Sequence, residues 1–227
     1  MEIIEKIFIQ DFFKDQPTGR FLEIGAKDGE PNEDSEPMWT LVEKGWSGVY
    51  CEPNPISCAS LIENILPYKD KIQIFNGAIS LPDSPSRLQD FHICFDIPSI
   101  SSFDIGWQEQ TTKGNYWLEH FPHVKLDTNR QISIITNTVT FQTLIDKVGN
   151  DFDCISIDIE TSLDKVEELI LSIDWGQFKN CKLLCLEING NRYLDHLKKF
   201  GFISLPMTKH GNIICVKKPP SIWKRDL

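Results

Sequence analysis

The chain has 227 residues with 33 acidic against 23 basic side chains, a formal net charge of -10. That length and a hydrophobic content of 41% suffice for one full core, so a single domain over residues 1–227 is predicted and a disordered chain is excluded. The acid excess excludes nucleic acid as the expected partner, because binding a phosphate backbone needs clustered Lys and Arg, and no apolar run is long enough to span a membrane.

Ile3, Ile4, Ile7, Phe8 and Phe12 fall on one helical face, which predicts an amphipathic covering helix over residues 1–14, laid on a sheet edge or on a partner subunit. Glu2 and Glu5 stand where a secretory leader would carry positive charge, so a soluble, cytoplasmic protein is expected. Phe21 to Ile24 reads as a strand running into Gly25 and Gly29. Past the acidic stretch 30–36, Met38, Leu41 and Val42 mark a helix stopped at Gly45. Trp46 to Cys51 is a second strand, and Asn54-Pro55 is a cap and first-turn pair for a helix carrying Ile56, Ile62 and Ile65. A third strand over 72–75 follows, then turn chemistry at 82–86 and the alternating run Phe91, Ile93, Phe95, read together as a hairpin.

Residues 97–130 show no clean period but carry Phe103, Trp107, Tyr116, Trp117, His120, Phe121 and His123, and are predicted to be an aromatic insertion over the site. Phe141, Leu144, Ile145 and Val148 mark a helix, Phe152 to Asp158 a strand, Leu163 to Ile173 a helix, and Lys182 to Ile188 a further strand. A helix stopped by Gly201 and two closing runs, 202–205 and 212–216, complete the pattern. Alternating strands and helices that end in a hairpin predict an α/β, doubly wound, mostly parallel seven-stranded sheet with a terminal antiparallel hairpin. The seven cysteines are odd in number, contain no C-x-x-C pair and sit in strand-like runs, so they are expected to be reduced core residues.

In such sheets ligands lie outside the carboxyl ends of the strands, so the last residue of each strand is the one to inspect. Glu23, leading into Gly25, Ala26, Asp28 and Gly29, would repel a pyrophosphate but can hold the cationic end of S-adenosylmethionine. Glu52 lies 23 residues past Gly29, where an acid would receive two ribose hydroxyls, with Pro53 beside it. Asn76, Gly77 and Ala78 could flank an adenine edge. Asp158 and Glu160, two apart, put both carboxylates on one face of an extended segment, where each raises the other's pKa. Asp158 is the expected general base toward a hydroxyl, with capping of the next helix as its structural alternative and His120 and His123 as other bases. Asp158, Glu187 and Asn189 could converge on Mg²⁺, although no metal is expected.

The order of these pieces resembles the FkbM family of S-adenosylmethionine-dependent methyltransferases over roughly residues 20–217. The resemblance is carried by Leu22 to Gly29, Glu43 to Gly48 leading into Cys51 to Pro55, Gly77 to Ser80, Ile100 to Ser102, Thr140 to Leu144 and Ser156 to Glu160. It implies a Rossmann-like class I methyltransferase fold and methyl transfer to an oxygen, commonly a hydroxyl of a sugar or natural product. It further implies that Glu23, Gly25, Ala26, Asp28 and Gly29 hold the methionyl part, Glu52 the ribose and Ala78 the adenine surroundings, with Asp158 at the reacting end. Where the family continues its fourth motif with glycine and a further glutamate, this chain has Thr161, Ser162 and Leu163. The expected partners are a small-molecule or glycan acceptor and either a second copy of the chain or a glycosyltransferase. The competing readings are a non-catalytic module that binds the same cofactor and an NAD-dependent oxidoreductase; Glu23 and the missing G-x-G-x-x-G disfavour the latter.

Overall fold

Leu22 and Ile24 on one face of the first strand and Phe21 on the other are all buried, the mark of a strand covered on both sides. A computed structural model of the chain describes residues 3–29, 37–80, 88–94, 101–102, 131–188, 192–205 and 212–217. Its strands in chain order are β1 (Arg20–Ile24), β2 (Ser47–Glu52), β3 (Ile72–Asn76), β4 (Ala78–Ser80), β5 (Leu88–Cys94), β6 (Gln131–Thr140), β7 (Cys154–Ile157), β8 (Leu183–Glu187), β9 (Ile203–Leu205) and β10 (Asn212–Val216). Its helices are α1 (Ile3–Phe12), α2 (Trp39–Glu43), α3 (Pro55–Ile65), α4 (Phe141–Val148), α5 (Leu163–Ser172) and α6 (Arg192–Lys198).

Seven strands form one sheet in the order β3-β2-β1-β7-β8-β10-β9. The five from β3 to β8 run parallel, while β10 pairs antiparallel with both β8 and β9. This is the doubly wound sheet with a terminal hairpin expected of the class I methyltransferase fold. The winding reverses between β1 and β7, and a crevice opens at the carboxyl ends of strands on either side of such a reversal. Residues from α4, α5 and α6 share one core with Leu22, Ile24, Val49, Ile155 and Leu186. Residues from α1, α2 and α3 share the other with Phe21, Tyr50, Cys154, Cys185 and Ile214.

Three local expectations are corrected. The buried face of α1 runs through Glu5, Phe8 and Ile9 to Phe13 just beyond it, whereas Ile7 is 56% exposed; the side chains of Ile3 and Ile4 lie outside the described residues. Spacings of three and four from Glu5 select this face, and Phe13 sets it by meeting Trp46 edge-on at 4.8 Å. The helix therefore covers a sheet face, not an edge. Second, β5 does not form a hairpin with β3, which lies in the large sheet; β5 belongs to a small one that also holds β4. The ten-residue β6, rich in β-branched side chains and unforeseen in the sequence, lies between β4 and β5 in a three-stranded sheet ordered β4-β6-β5. Third, β7 stops at Ile157, so Asp158 belongs to the loop beyond the strand. Of the predicted aromatic insertion 97–130, Ser101 and Ser102 are described; the aromatic residues and both histidines lie outside the described residues, as do the acidic stretch 30–36 and the turn at 82–86.

All seven cysteines are buried and free, as a reduced core requires. Among the described residues no helix is long and apolar enough to cross a membrane.

Candidate active site

The tips of β1 and β7 are spliced together. The Asp158 N–H donates to the Ile24 carbonyl at 2.9 Å, and a β-carbon on Gly25, whose φ is +89°, would collide with the Asp158 carbonyl oxygen. Glycine is thus required here by the approach of one backbone to another. The N–H groups of Gly25 and Ala26 both donate to the Cys51 carbonyl, at 2.9 and 3.2 Å, and that of Gly29 donates to the Ala26 carbonyl at 3.1 Å. A β-carbon on Gly29 would meet Leu61, and Asn64 Nδ2 donates to the Asp28 carbonyl at 2.8 Å, so the loop is clamped onto α3.

Glu52, at the tip of β2, is 5% exposed, and each of its oxygens is engaged: Oε2 accepts from the Lys27 N–H at 2.8 Å and Oε1 from the Asn54 N–H at 2.7 Å. Burial pushes its carboxyl up to about 7, against the pull of these two donors. Asn54 caps α3 through its side-chain oxygen, as the Asn-Pro pair foretold, and its Nδ2 donates to Ser101 Oγ at 3.3 Å. Ser101 Oγ also accepts from the Cys94 N–H at 3.1 Å, and Ser102 Oγ donates to the Glu160 carbonyl at 2.6 Å. Two adjacent serines thereby tie β5 to the β2 side and to the segment after β7.

Between these tips, the small sheet and α5 lies a cavity of about 290 Å³, at the lower edge of the ~300–1,000 Å³ common for small-molecule sites. Of the residues expected to bind a cofactor, Gly25, Glu52, Pro53, Gly77, Ala78 and Asp158 line it. Glu23, Ala26, Asp28, Gly29 and Asn76 are not among the described residues of its wall. For Glu23 the reason is the strand's period of two: Ile24 faces the cavity, so Glu23, 1% exposed and in register with Tyr50 and Ser156, faces the α1 side. Ala26 is packed in the core of the α1 side, and Asn76 Nδ2 is engaged by the Glu52 carbonyl at 2.9 Å.

Asp158, Glu160 and Glu187 bring carboxylate oxygens within 4.8 Å of one another. Glu160 replaces the expected Asn189, which lies outside the described residues. Close packing of three acids forces protons to be shared. Burial, the charge of Asp158 and a hydrogen bond to it push Glu187 up to about 11, so Glu187 is the proton donor of the pair. Burial alone would raise Asp158, which is 8% exposed, but the Glu187 bond and the Lys27 charge hold it below the usual carboxylate value. Burial and then the Asp158 charge push Glu160 up to about 7. Asp158 and Glu187 thus share one proton, and the same three carboxylates could hold a divalent cation in its place. The N-cap position of α5 is held by Ser162 and not by Asp158, and at the described start of α6 Glu167 Oε1 accepts from the Arg192 N–H at 3.2 Å.

No protein-family model matches the chain, and no curated protein matches it. Solved structures do. The chain is similar to Streptococcus pneumoniae Sp1610, a candidate tRNA (m1A22) methyltransferase, at 11% identity and a TM-score of 0.44, covering 90% of this chain and 67% of that one. It is similar to the METTL16 MTase domain at 10% identity and 0.44, covering 94% and 66%, so it spans about two thirds of that chain's length. A third likeness is to a hypothetical protein of Thermus thermophilus, TTHA0928, at 13% identity and 0.44, covering 94% and 84%. Scores of this size carry nothing about activity, and the fold stands on the strand order itself.

Several wall residues escaped the sequence reading: Lys27 inside the glycine loop, Gln89 and Phe91 from the small sheet, and Lys165 from α5. A lysine flanked by G-A and D-G is the only local sign that the first of these offered.

The proton shared with Asp158 makes a stability prediction. Glu187 binds its proton more tightly folded than unfolded, so its contribution is full below the unfolded pKa, about 4.3, and is lost as pH rises toward the folded value. Glu187→Gln keeps a donor toward Asp158 and cannot ionise. Its Tm relative to the unsubstituted protein should therefore climb steadily from about pH 5 to about pH 10. Parallel Tm curves in thermal melts across that range would refute the shared proton.

Proposed function

We propose that this chain is an S-adenosylmethionine-dependent methyltransferase that methylates an oxygen, a hydroxyl of a sugar, a glycan or a small natural product, as its resemblance to the FkbM family implies. The observation that carries the reading is one cavity at the reversal of the sheet, with a buried acid at the β2 tip and an acid pair beyond the β7 tip. Glu52 suits the ribose hydroxyls, since each of its oxygens keeps a second lone pair beyond its amide partner. Gly77 and Ala78 leave room for the base, and Asp158 faces the cationic end. Holding a cation, the task expected of Glu23, passes to Asp158.

When bound, the cofactor supplies a methyl on a cationic sulfur. The chain's own work is to orient an acceptor hydroxyl and to remove its proton. Glu160 is the better base of the pair. Its carboxyl is poised at about 7, whereas Asp158 is weakened by the proton it shares with Glu187. Gln89, Phe91 and Thr161 form the acceptor side of the wall. A dinucleotide fits poorly, because the amides of Gly25, Ala26, Lys27 and Gly29 are all spent within the protein.

The test is incubation of purified protein with S-adenosylmethionine and a panel of glycans, glycosides and alcohols, following S-adenosylhomocysteine release and methyl-ether formation by mass spectrometry. Methylated product is the expected result. Donor binding with no product from any acceptor would leave a non-catalytic binding module. Binding of NAD in place of S-adenosylhomocysteine, or methylation confined to RNA, would overturn the reading.

A further inference from the structure

Three small residues of the loop after β1 are set by packing. Gly25 is fixed by the Asp158 carbonyl, Ala26 by the core and Gly29 by Leu61. Lys27 is half-buried and lies in the cavity wall. Its φ is +52°, in the left-handed region that a β-carbon makes costly and that glycine or asparagine adopts more readily. It is held there because its N–H donates to the buried Glu52 Oε2 at 2.8 Å, a bond to a carboxylate that any relaxation of the loop would forfeit. A residue kept in a costly conformation by a rigid partner at the edge of a cavity points to use by a ligand. Its charge draws down the proton affinity of Glu52, Asp158, Glu160 and Glu187 alike, so it reaches both the β2 and the β7 side of the cavity.

Resting on the function proposed above, we propose that Lys27 binds the α-carboxylate of the aminoacyl end of the cofactor. That end is a zwitterion: the wall's acids suit its ammonium and repel its carboxylate, and the wall's cations are Lys27, at the β1 tip, and Lys165, on α5. Lys27, whose loop borders Asp158 at the tips of β1 and β7, meets the carboxylate and Asp158 receives the ammonium. A nucleoside without the amino-acid portion has no need of Lys27.

Two ligands and two variants test this by titration calorimetry. S-adenosylhomocysteine carries the carboxylate, and 5′-methylthioadenosine retains the nucleoside and sulfur but lacks it. Lys27→Asn removes the charge while suiting the left-handed backbone; Lys27→Arg keeps the charge. In Lys27→Asn the affinity for S-adenosylhomocysteine should fall about 10- to 100-fold, the size of a lost charged hydrogen bond. Affinity for 5′-methylthioadenosine should stay within about twofold, which also shows that the pocket has folded, and Lys27→Arg should recover most of the loss. Unchanged S-adenosylhomocysteine affinity in Lys27→Asn overturns the assignment and leaves the proposed function standing. An equal loss for both ligands overturns it too, by making Lys27 a support of the loop. If the unsubstituted protein binds neither compound, the function beneath the assignment fails with it.

Discussion

Replacing Glu160 by Gln should lower kcat by about 100-fold or more while leaving S-adenosylhomocysteine affinity nearly unchanged, the effect of losing a general base. The argument starts from the shared proton. Three carboxyls whose oxygens lie within 4.8 Å cannot all ionise. Glu187 keeps a proton and donates it toward Asp158, which is thereby held in its weak, ionised state. Glu160, raised to about 7 by burial and by the Asp158 charge, is left as the group that exchanges a proton near neutrality. The sign follows directly. A base must be ionised to act, so kcat/KM should rise with pH through about 7 and then level off. Asp158→Asn provides the control, because it removes the charge that raises Glu160 and should move the acidic limb to lower pH. In Glu160→Gln the limb should vanish. Rate profiles in which Asp158→Asn abolishes the limb and Glu160→Gln preserves it would return the role to Asp158.

Gly25→Ala should destabilise the fold by at least about 3 kcal/mol, from the strain of an unfavourable φ plus the displacement of a backbone carbonyl. For a chain of this size that is a fall in Tm of about 6–12 °C. The new methyl would strike the Asp158 carbonyl oxygen, and relieving the clash would pull β1 and β7 apart where the Asp158 N–H meets the Ile24 carbonyl. Gly201→Ala separates the two contributions. Its φ of +85° is almost the same as the +89° of Gly25, yet a β-carbon there meets nothing within 4 Å. It should cost only the conformational share, about 1 kcal/mol. Equal losses for the two variants in chemical denaturation would show that the splice between the strand tips adds nothing.

What the sequence makes legible is what depends on neighbours along the chain. Asn54-Pro55 announces the start of α3 because a cap is made within two residues, and the order of the parallel strands follows from alternation with helices. The hairpin of β9 and β10 is readable for the same reason. β6 is not. Its partners lie about 40 to 60 residues upstream, and its buried positions are filled by Thr136 and Thr138 while Ile135 on the opposite face is 70% exposed, so polarity does not alternate with burial. Glu23 shows a subtler limit. Its position at the end of β1 is right, but one step along a strand reverses the face, and only the register against Tyr50 and Ser156 reveals that it points toward α1. Glu160 and Glu52 gain their character from burial, which the sequence does not print. Their pKa values near 7 arise from surroundings supplied by distant segments.

The paired serines bear on how such a protein can change its diet. Ser102 grips the carbonyl of Glu160 while Ser101 is fastened to β5 and to the head of α3, so the part that would choose the acceptor and the part that would activate it share one mechanical joint. A graft that exchanges the small sheet for one with a different taste would drag the proposed base along unless both hydroxyls were retained. Under the proposed function acceptor choice and turnover would drift together, and tuning them separately would begin with wall residues such as Gln89.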